Sequence, residues 1–503
     1  MEMIIISSNG SSVIQSLSVA LGVLFFSILC YRLLGTRRSR PTAKCMIGTK
    51  LPPGSMGLPI IGETLQFFVP YTSDDISPFI SKRIQRYGPV FKTRLIGKPV
   101  IVSTDPEVNH LVLKQEGDGE LLFLPWYSDS FNEIMGSDSL LALQGSVHKY
   151  MRNLVLEEFG PERLKSLLAD MERHTVRHLR SWSARPSVEL KDAVSTMIHS
   201  FTVEKVFSMK TDTEPVREFK QCYDAFLRGL ISFPIYIPGT SFWKCMQGRK
   251  GALNIIKRLM EQRRESPHKE RKDYLDFMIA EMKKDGSPLT EKVAIDLLFL
   301  LPFATFESTS SCIVTALHYL SKHPAALEEL TREHEAILKG KEGSTEPGGI
   351  SWKEYKSMTF THMVINETLR LTNIVPGIFR KAIKDVEVNG YLIPAGWTVM
   401  VYPASVHLNP KVYGDPLSFN PWRWKGQQLH SGSQNFMVFG GGVRLCAGAD
   451  FVKVQMAIVF HHLVTKYRWE VIKGGEPIRY PGLIFPEGFH VNISAVKKES
   501  HQK

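Results

Sequence analysis

Cysteine is scarce in this chain: six residues in 503, at Cys30, Cys45, Cys222, Cys245, Cys312 and Cys446. None forms a CxxC pair and one sits in an apolar N-terminal stretch, which argues against a disulfide framework and structural zinc and fits a reducing compartment. Also missing are any internal repeat, any long low-complexity tract, any RNA- or DNA-reading motif and any strand-linked glycine fingerprint for a dinucleotide or flavin. Apolar residues are not in short supply: 43% of the chain is hydrophobic and 22% charged, ordinary for a protein with a large core. Acidic charge is in the minority, with 62 Lys plus Arg against 50 Asp plus Glu and a net charge of +12. With nucleic acid set aside as a partner, that excess suits an anionic membrane surface or an acidic protein, and equally a generally basic solvated surface with no such partner.

What is present gathers around one of the six cysteines. The stretch Phe439-Gly440-Gly441-Gly442-Val443-Arg444-Leu445-Cys446-Ala447-Gly448 places that cysteine in a glycine-rich loop, followed by a mostly apolar run from Phe451 to Val464 that reads as a helix. Glycines let the backbone turn tightly and bring its N–H groups close to sulfur. Arg444 can meet a carboxylate, and an electropositive helix start favours thiolate over thiol. A thiolate on haem iron pushes electron density toward bound oxygen and favours O–O cleavage. The loop therefore predicts a haem-thiolate centre and an oxygen-activating enzyme.

At the other end, Val13 to Leu34 is mostly apolar and long enough to span a bilayer as a helix. Arg32, Arg37, Arg38 and Arg40 follow, while a single acid and no base precede it. The positive-inside rule puts the N-terminus in the lumen and the bulk of the chain in the cytoplasm; a cleaved signal peptide would carry its bases ahead of the apolar run. The expected organisation is residues 1–36 as lumenal N-terminus and transmembrane anchor, 37–62 as a basic and Pro/Gly-rich linker stiffened by Leu51-Pro52-Pro53-Gly54, and 63–503 as one globular domain. Helical patterns cover Pro161 to Trp182, Pro215 to Ile231, Gly251 to Arg264, Thr290 to Lys322 and Trp352 to Leu371. Strand patterns cover Val90 to Leu95, Val100 to Ser103, Val386 to Val388 and Thr398 to Tyr402. The charged run Glu261 to Asp273 and the segment Lys339 to Gly349 read as solvated loops. The fold class is mainly α with small β-sheets.

On one of those helices lies Glu367-Thr368-Leu369-Arg370, whose glutamate and arginine share a face. Just upstream of the cysteine loop, Asn420-Pro421-Trp422-Arg423-Trp424 offers a second arginine for a buried Glu–Arg–Arg cluster. Together these residues resemble the cytochrome P-450 haem-thiolate monooxygenases over essentially the whole length after the anchor. The pattern Phe-x-x-Gly-x-x-x-Cys-x-Gly falls on Phe439, Gly442, Cys446 and Gly448, Glu-x-x-Arg on Glu367 and Arg370, and Pro-x-Arg on Pro421 and Arg423.

The resemblance implies the cytochrome P-450 fold, a single haem domain behind an N-terminal transmembrane helix. It implies haem b with Cys446 as axial thiolate ligand, O2 as co-substrate, and Glu367, Arg370 and Arg423 as a structural core. Arg444, Arg152 and Arg380 stand where the family contacts the haem propionates; His148, four before Arg152, replaces a tryptophan frequent in the family. The oxygen-activation helix spans Leu297 to Leu320, where Ala304-Thr305-Phe306-Glu307-Ser308-Thr309 matches Ala/Gly-Gly-x-Asp/Glu-Thr-Thr/Ser with two departures, Thr305 for glycine and Ser308 for threonine. An acid in an otherwise apolar helix is costly to bury without a use, so Glu307, with Ser308 or Thr309 as the hydroxyl, is expected to deliver protons.

By the same resemblance the substrate pocket is lined from Phe123 to Phe131, Phe233 to Phe242, Leu301 to Thr305, Ile374 to Ile378 and Leu483 to Phe485, with Trp126, Leu301, Ala304, Thr305, Val375 and Phe485 as candidate contacts. Leu51-Pro52-Pro53-Gly54 with Gly62-Glu63-Thr64, Ile237-Pro238-Gly239-Thr240, and Ala304 to Thr309 make the chain most similar to plant microsomal members of clan 85, above all family 87, whose members oxidise tetracyclic triterpenoids and steroids. That implies a hydrophobic triterpenoid or sterol substrate, electrons from a separate NADPH–cytochrome reductase, and an endoplasmic reticulum membrane location. Two other readings stay open: a haem-thiolate isomerase or dehydratase that needs no reductase, which NADPH dependence would separate, and a non-catalytic haem or sterol sensor, which would bind without turnover.

Overall fold

The computed structural model describes residues 50–73, 75–114, 121–266, 271–341, 349–427, 432–474, 476–480 and 482–496; the expected anchor Val13 to Leu34 and its basic flank lie outside the described residues. The helices of nine residues or more among the described residues are α1 Pro78–Tyr87, α2 Pro106–Lys114, α3 Gly145–Phe159, α4 Pro161–Ser183, α5 Leu190–Phe207, α6 Glu214–Gly229, α7 Ser241–Glu265, α8 Tyr274–Met282, α9 Glu291–Lys322, α10 Pro324–Lys339, α11 Thr359–Thr372 and α12 Ala449–Lys466; α1, α4 and α6 carry an apolar stripe recurring every three or four positions, whereas α5, α9 and α12 are buried nearly all round. Prolines open α1, α4, α6 and α10 in the first turn, where their missing N–H has no intrahelical acceptor to lose. Thr290 caps α9, its side chain accepting from the Val293 N–H at 3.3 Å.

Helix α9 is the axis of the core. Its most apolar window has a mean hydropathy of 1.5, enough to cross a bilayer by length and composition, yet 78% of that window is buried within the body. It packs along α5 and touches α7, α11 and α12. Pro302 interrupts its ladder because it has no N–H to give. Beside that interruption the Tyr223 hydroxyl of α6 donates to the Phe299 carbonyl at 2.8 Å.

Of the four sheets among the described residues, two frame the site-bearing helices. One orders Val90–Leu95, Lys98–Ser103, Thr398–Val401, Ile378–Ala382 and Phe123–Pro125; the second and third run parallel, with Val100 opposite Thr398, and the other neighbours are antiparallel. The other sets Phe489–Ala495 between Tyr467–Gly474 and Val188–Glu189, so the last described strand sits against the start of α5. The Pro/Gly stretch beginning at Lys50 is tied to the first sheet: the Lys92 N–H donates to the Pro53 carbonyl at 2.8 Å and its Nζ to the Pro52 carbonyl at 3.0 Å. A Cβ on Gly54 would lie 2.0 Å from the Lys92 carbonyl oxygen.

Several expected bounds move. Helix α7 begins ten residues before Gly251, because Thr240 caps it by accepting from the Trp243 N–H at 3.2 Å. The single helix expected over Trp352 to Leu371 is two, Trp352–Ser357 and α11, divided at Met358. The charged run Glu261 to Asp273 is not simply a solvated loop. α7 continues through Glu265, and the Asp273 carboxylate is buried, capping α8 and pairing with Arg263 at 2.8 Å; charge there is used internally, which composition alone does not reveal.

Candidate active site

The cysteine loop closes on itself. The Cys446 N–H donates to the Phe439 carbonyl at 3.0 Å and the Leu445 N–H to the Gly442 carbonyl at 3.1 Å. Gly442 has φ 64°, and a Cβ there would lie 2.2 Å from the Leu113 carbonyl oxygen of α2, so only glycine lets the loop approach that helix. Gly448 follows immediately before α12, and the Phe439 ring lies under the Lys453 ammonium at 5.7 Å.

Cys446 itself is surface-accessible, yet burial is the largest influence on its thiol and raises its pKa, against the Gly448 N–H and the Arg152 guanidinium, which lower it. The sulfur thus combines accessible surface with close packing around it. Left to the polypeptide alone the thiol keeps its proton; a metal cation at sulfur deprotonates it. An accessible soft sulfur donor in a glycine cradle, with the Arg152 guanidinium acting on it, fits a haem with a thiolate ligand.

Those guanidiniums are positioned from several elements. Arg152, on α3, donates from Nη1 to the Leu445 carbonyl at 2.6 Å, and Arg444 donates to the Leu141 and Leu143 carbonyls at 3.3 and 2.5 Å. These bonds stitch the cysteine loop to α3 and the turn before it. His148 is buried one turn earlier on α3. Arg380 is buried on the strand Ile378–Ala382, whose first residue comes within 3.8 Å of a Cβ built on Gly440.

Glu367, Arg370 and Arg423 do form one cluster. Glu367 Oε2 and Oε1 accept from Arg370 Nε and Nη2, each at 2.9 Å, and Oε1 also accepts from Arg423 Nε at 2.9 Å. Glu367 and Arg370 side chains are both 0% exposed. The Asn420 N–H and the Trp424 indole N–H, at 2.9 and 3.0 Å, complete the carboxylate's shell. Arg370 also donates to the His407 carbonyl at 2.7 Å, and His407 Nε2 accepts from the Met437 N–H at 3.1 Å, which connects the cluster to the approach of the cysteine loop. Trp424 and His407 were not singled out from the sequence; the indole beside Arg423 was the available signal.

On α9, Ala304 is exposed and Ser308 half-buried although the helix around them is core. Four residues apart, they share one face. Ser308 Oγ donates to the Ala304 carbonyl at 2.8 Å. Thr309 lies further round, 0% exposed, its hydroxyl without a hydrogen-bond partner among the described residues. Thr305 points toward α5: its hydroxyl donates to the Leu301 and Pro302 carbonyls and lies 3.1 Å from Thr202 Oγ1. Glu307 corrects an expectation, because it is not buried in an apolar surround. Its side chain is 36% exposed and pairs with Lys191 at 3.1 Å, a cation 116 residues away in sequence that no local pattern announces.

Of the remaining pocket candidates, Trp126 meets Phe379 edge-on at 5.9 Å, Phe485 stacks on Phe489 at 5.7 Å, Leu301 is buried and Val375 is 54% exposed. In the expected pocket segment Phe233 to Phe242, Phe242 is buried whereas Phe233, Ile235, Tyr236 and Ile237 stand exposed. A separate cleft of about 810 Å³, lined by Arg249, Lys257, Glu291, Lys292 and Asp296 among others, contains none of the residues marked for chemistry.

Comparison with known proteins agrees with this geometry. The family model for Cytochrome P450 matches residues 52–488. Cytochrome P450 87A3 of Oryza sativa subsp. japonica is 48% identical over 446 residues, covering 88% of this chain and 86% of that protein. Cucurbitadienol 11-hydroxylase of Siraitia grosvenorii is 42% identical over 447 residues, covering 88% and 93% respectively. Among solved structures, retinoic acid bound cyanobacterial CYP120A1 superposes with a TM-score of 0.78 at 26% identity, over 89% of this chain and all of that one.

Proposed function

This chain belongs to the cytochrome P450 family and is a monooxygenase of it, and from that premise we propose that it oxidises a tetracyclic triterpenoid or plant sterol with electrons that a separate NADPH-dependent reductase supplies. The overall change is R–H + O2 + NADPH + H⁺ → R–OH + H2O + NADP⁺. Similarity over most of the chain to a protein named for hydroxylating cucurbitadienol carries the substrate class.

The Cys446 thiolate would hold a haem b, which when bound would supply O2 binding and O–O cleavage. The protein's own groups do the rest. Gly442 and Gly448 let the loop present the sulfur, and Arg152, Arg380 and Arg444 balance the propionates. The Glu367–Arg370–Arg423 cluster holds the loop's approach in place. Glu307 takes protons from solvent, which its half-exposed carboxylate reaches, and passes them inward, while Ser308, on the accessible face with Ala304, is the hydroxyl that receives them. Trp126, Val375 and Phe485 belong to the apolar surround of the substrate, and the domain is held at the endoplasmic reticulum membrane by Val13 to Leu34.

Titrating purified protein with a panel of triterpenes and sterols while following the haem absorption spectrum tests the substrate class. A saturable spectral change with a tetracyclic scaffold is expected; saturation only with unrelated compounds would move the substrate elsewhere.

A further inference from the structure

The proton-delivery carboxylate has a dedicated counter-ion. Lys191 is the second residue of α5, and its Nζ lies 3.1 Å from Glu307 Oε1, 3.0 Å from the Glu307 carbonyl, 2.7 Å from Ser310 Oγ and 2.9 Å from Ser311 Oγ. The three protons of one ammonium are thus shared among four oxygens of a single turn of α9. Ser310 and Ser311 also turn their hydroxyls to the Glu307 carbonyl, at 3.1 and 3.0 Å, so the turn is knotted around that one cation.

Lys191 is itself held from below. Glu189 caps α5 by accepting from the Lys191 and Asp192 N–H groups at 3.3 and 2.7 Å, and the same carboxylate accepts from the Phe489 N–H at 3.1 Å. Phe489 carries the ring on which Phe485 stacks. The start of α5, the last strand and the acid-bearing turn of α9 therefore meet at one lysine. A surface ion pair between two long side chains is worth little. This one is different in kind, because the lysine is only 26% exposed and bonds backbone and hydroxyls as well as carboxylate.

We propose that Lys191 is the positioning residue for proton delivery: it fixes the Glu307 carboxylate and its turn of α9 so that protons reach the oxygen site faster than reduced oxygen escapes as peroxide. The proposal rests on the reading of Glu307 as the proton donor. The competing outcome it controls is O2 + NADPH + H⁺ → H2O2 + NADP⁺, which consumes the same electrons without oxidising substrate.

The test compares Lys191→Met, Lys191→Gln, Lys191→Arg and Glu307→Gln in full-length protein with haem and reductase, measuring product and peroxide per NADPH consumed. Amide hydrogen exchange over residues 304–312 is read in the same proteins without NADPH. Lys191→Met and Lys191→Gln are expected to lower the product-to-peroxide ratio by about tenfold, a fraction of what a general acid contributes, and to speed exchange in that turn. Lys191→Arg, which keeps the charge, should restore both to within about twofold. If Glu307→Gln lowers the ratio and neither neutral Lys191 variant does, the inference about Lys191 is overturned and the role of Glu307 stands. Faster exchange with an unchanged ratio reduces Lys191 to a structural tie and overturns it equally. An unchanged ratio in Glu307→Gln overturns the reading beneath.

Discussion

Replacing Glu367 with glutamine removes one charge from a polar cluster whose Glu367 and Arg370 side chains have no exposed surface. The carboxylate accepts five hydrogen bonds, from Arg370 Nε and Nη2, Arg423 Nε, Trp424 Nε1 and the Asn420 N–H, all between 2.9 and 3.0 Å. Glutamine keeps the shape but turns one acceptor into an N–H2 donor that faces other donors. It leaves the Arg370 guanidinium, with no exposed surface, without its counter-ion. Breaking a buried pair by removing one partner costs about 3–5 kcal/mol, a large part of a typical total of about 5–15 kcal/mol. With a urea slope of about 3 kcal/mol per molar, the unfolding midpoint should fall by roughly 1 to 1.7 M. Because Arg370 holds the His407 carbonyl, His407 holds the Met437 N–H, and Trp424 packs on Phe436 at 5.2 Å, the loss should reach the cysteine loop. Haem release should then precede tryptophan exposure in the urea titration of Glu367→Gln, whereas the parent loses both together. A variant within about 0.5 kcal/mol of the parent would refute the reasoning.

Cys446→Ser should keep the far-ultraviolet circular dichroism of the parent and lose the thiolate form of the reduced carbon-monoxide spectrum; retention of that form would place the ligand elsewhere. Gly442→Ala, forced to φ 64° with its Cβ against the Leu113 carbonyl, should reduce haem occupancy after purification by several-fold, checked by haem-to-protein ratio. Ser308→Ala should shift NADPH consumption toward peroxide by roughly tenfold while Thr309→Val leaves the ratio near that of the parent; the reverse order would assign the hydroxyl to Thr309. Acid should destabilise the fold through its buried histidines. His407 is pushed from 6.5 down to about 3 by burial and then by Arg370, and His199, His334 and His461, also pushed down chiefly by burial, reach about 3. Between these values the unfolded chain takes up protons that the folded one refuses. Stability is therefore full above pH 6.5 and falls as pH drops toward 3, by about 1.4 kcal/mol per unit for each such histidine. A urea midpoint that stays flat from pH 7 to pH 5 would contradict this.

The chemistry-bearing motifs were legible because each is local. Cys446 with its glycines, Glu367 with Arg370, and Pro421 with Arg423 sit within short windows, and the structure brings the last two motifs onto one carboxylate. Helix α9 was readable to within one residue of its first bound, since an apolar run of that length follows a capping threonine. Helix α5 was passed over because it is buried on most sides and so shows no polar face to mark a period. The break at Met358, after which Glu333 of α10 accepts from the Phe360 and Thr361 N–H groups at 2.6 and 2.9 Å, and the early start of α7 depend on capping contacts that outweigh the apolar pattern. Least legible were the long-range partners. Lys191 reads as one lysine among many until α5 packs on α9, and the hydroxyl of Thr309 could not be told from that of Ser308 until the helix had faces.

The most direct test of the central claim is a reconstitution: membranes carrying this chain and a plant reductase, given tetracyclic triterpenes and sterols with NADPH under isotopically heavy O2, with products read by mass spectrometry. The account predicts an NADPH-dependent product bearing one heavy oxygen atom on a tetracyclic scaffold. A product formed equally without NADPH or without heavy oxygen, or no product while the carbon-monoxide spectrum still reports thiolate ligation, would contradict it.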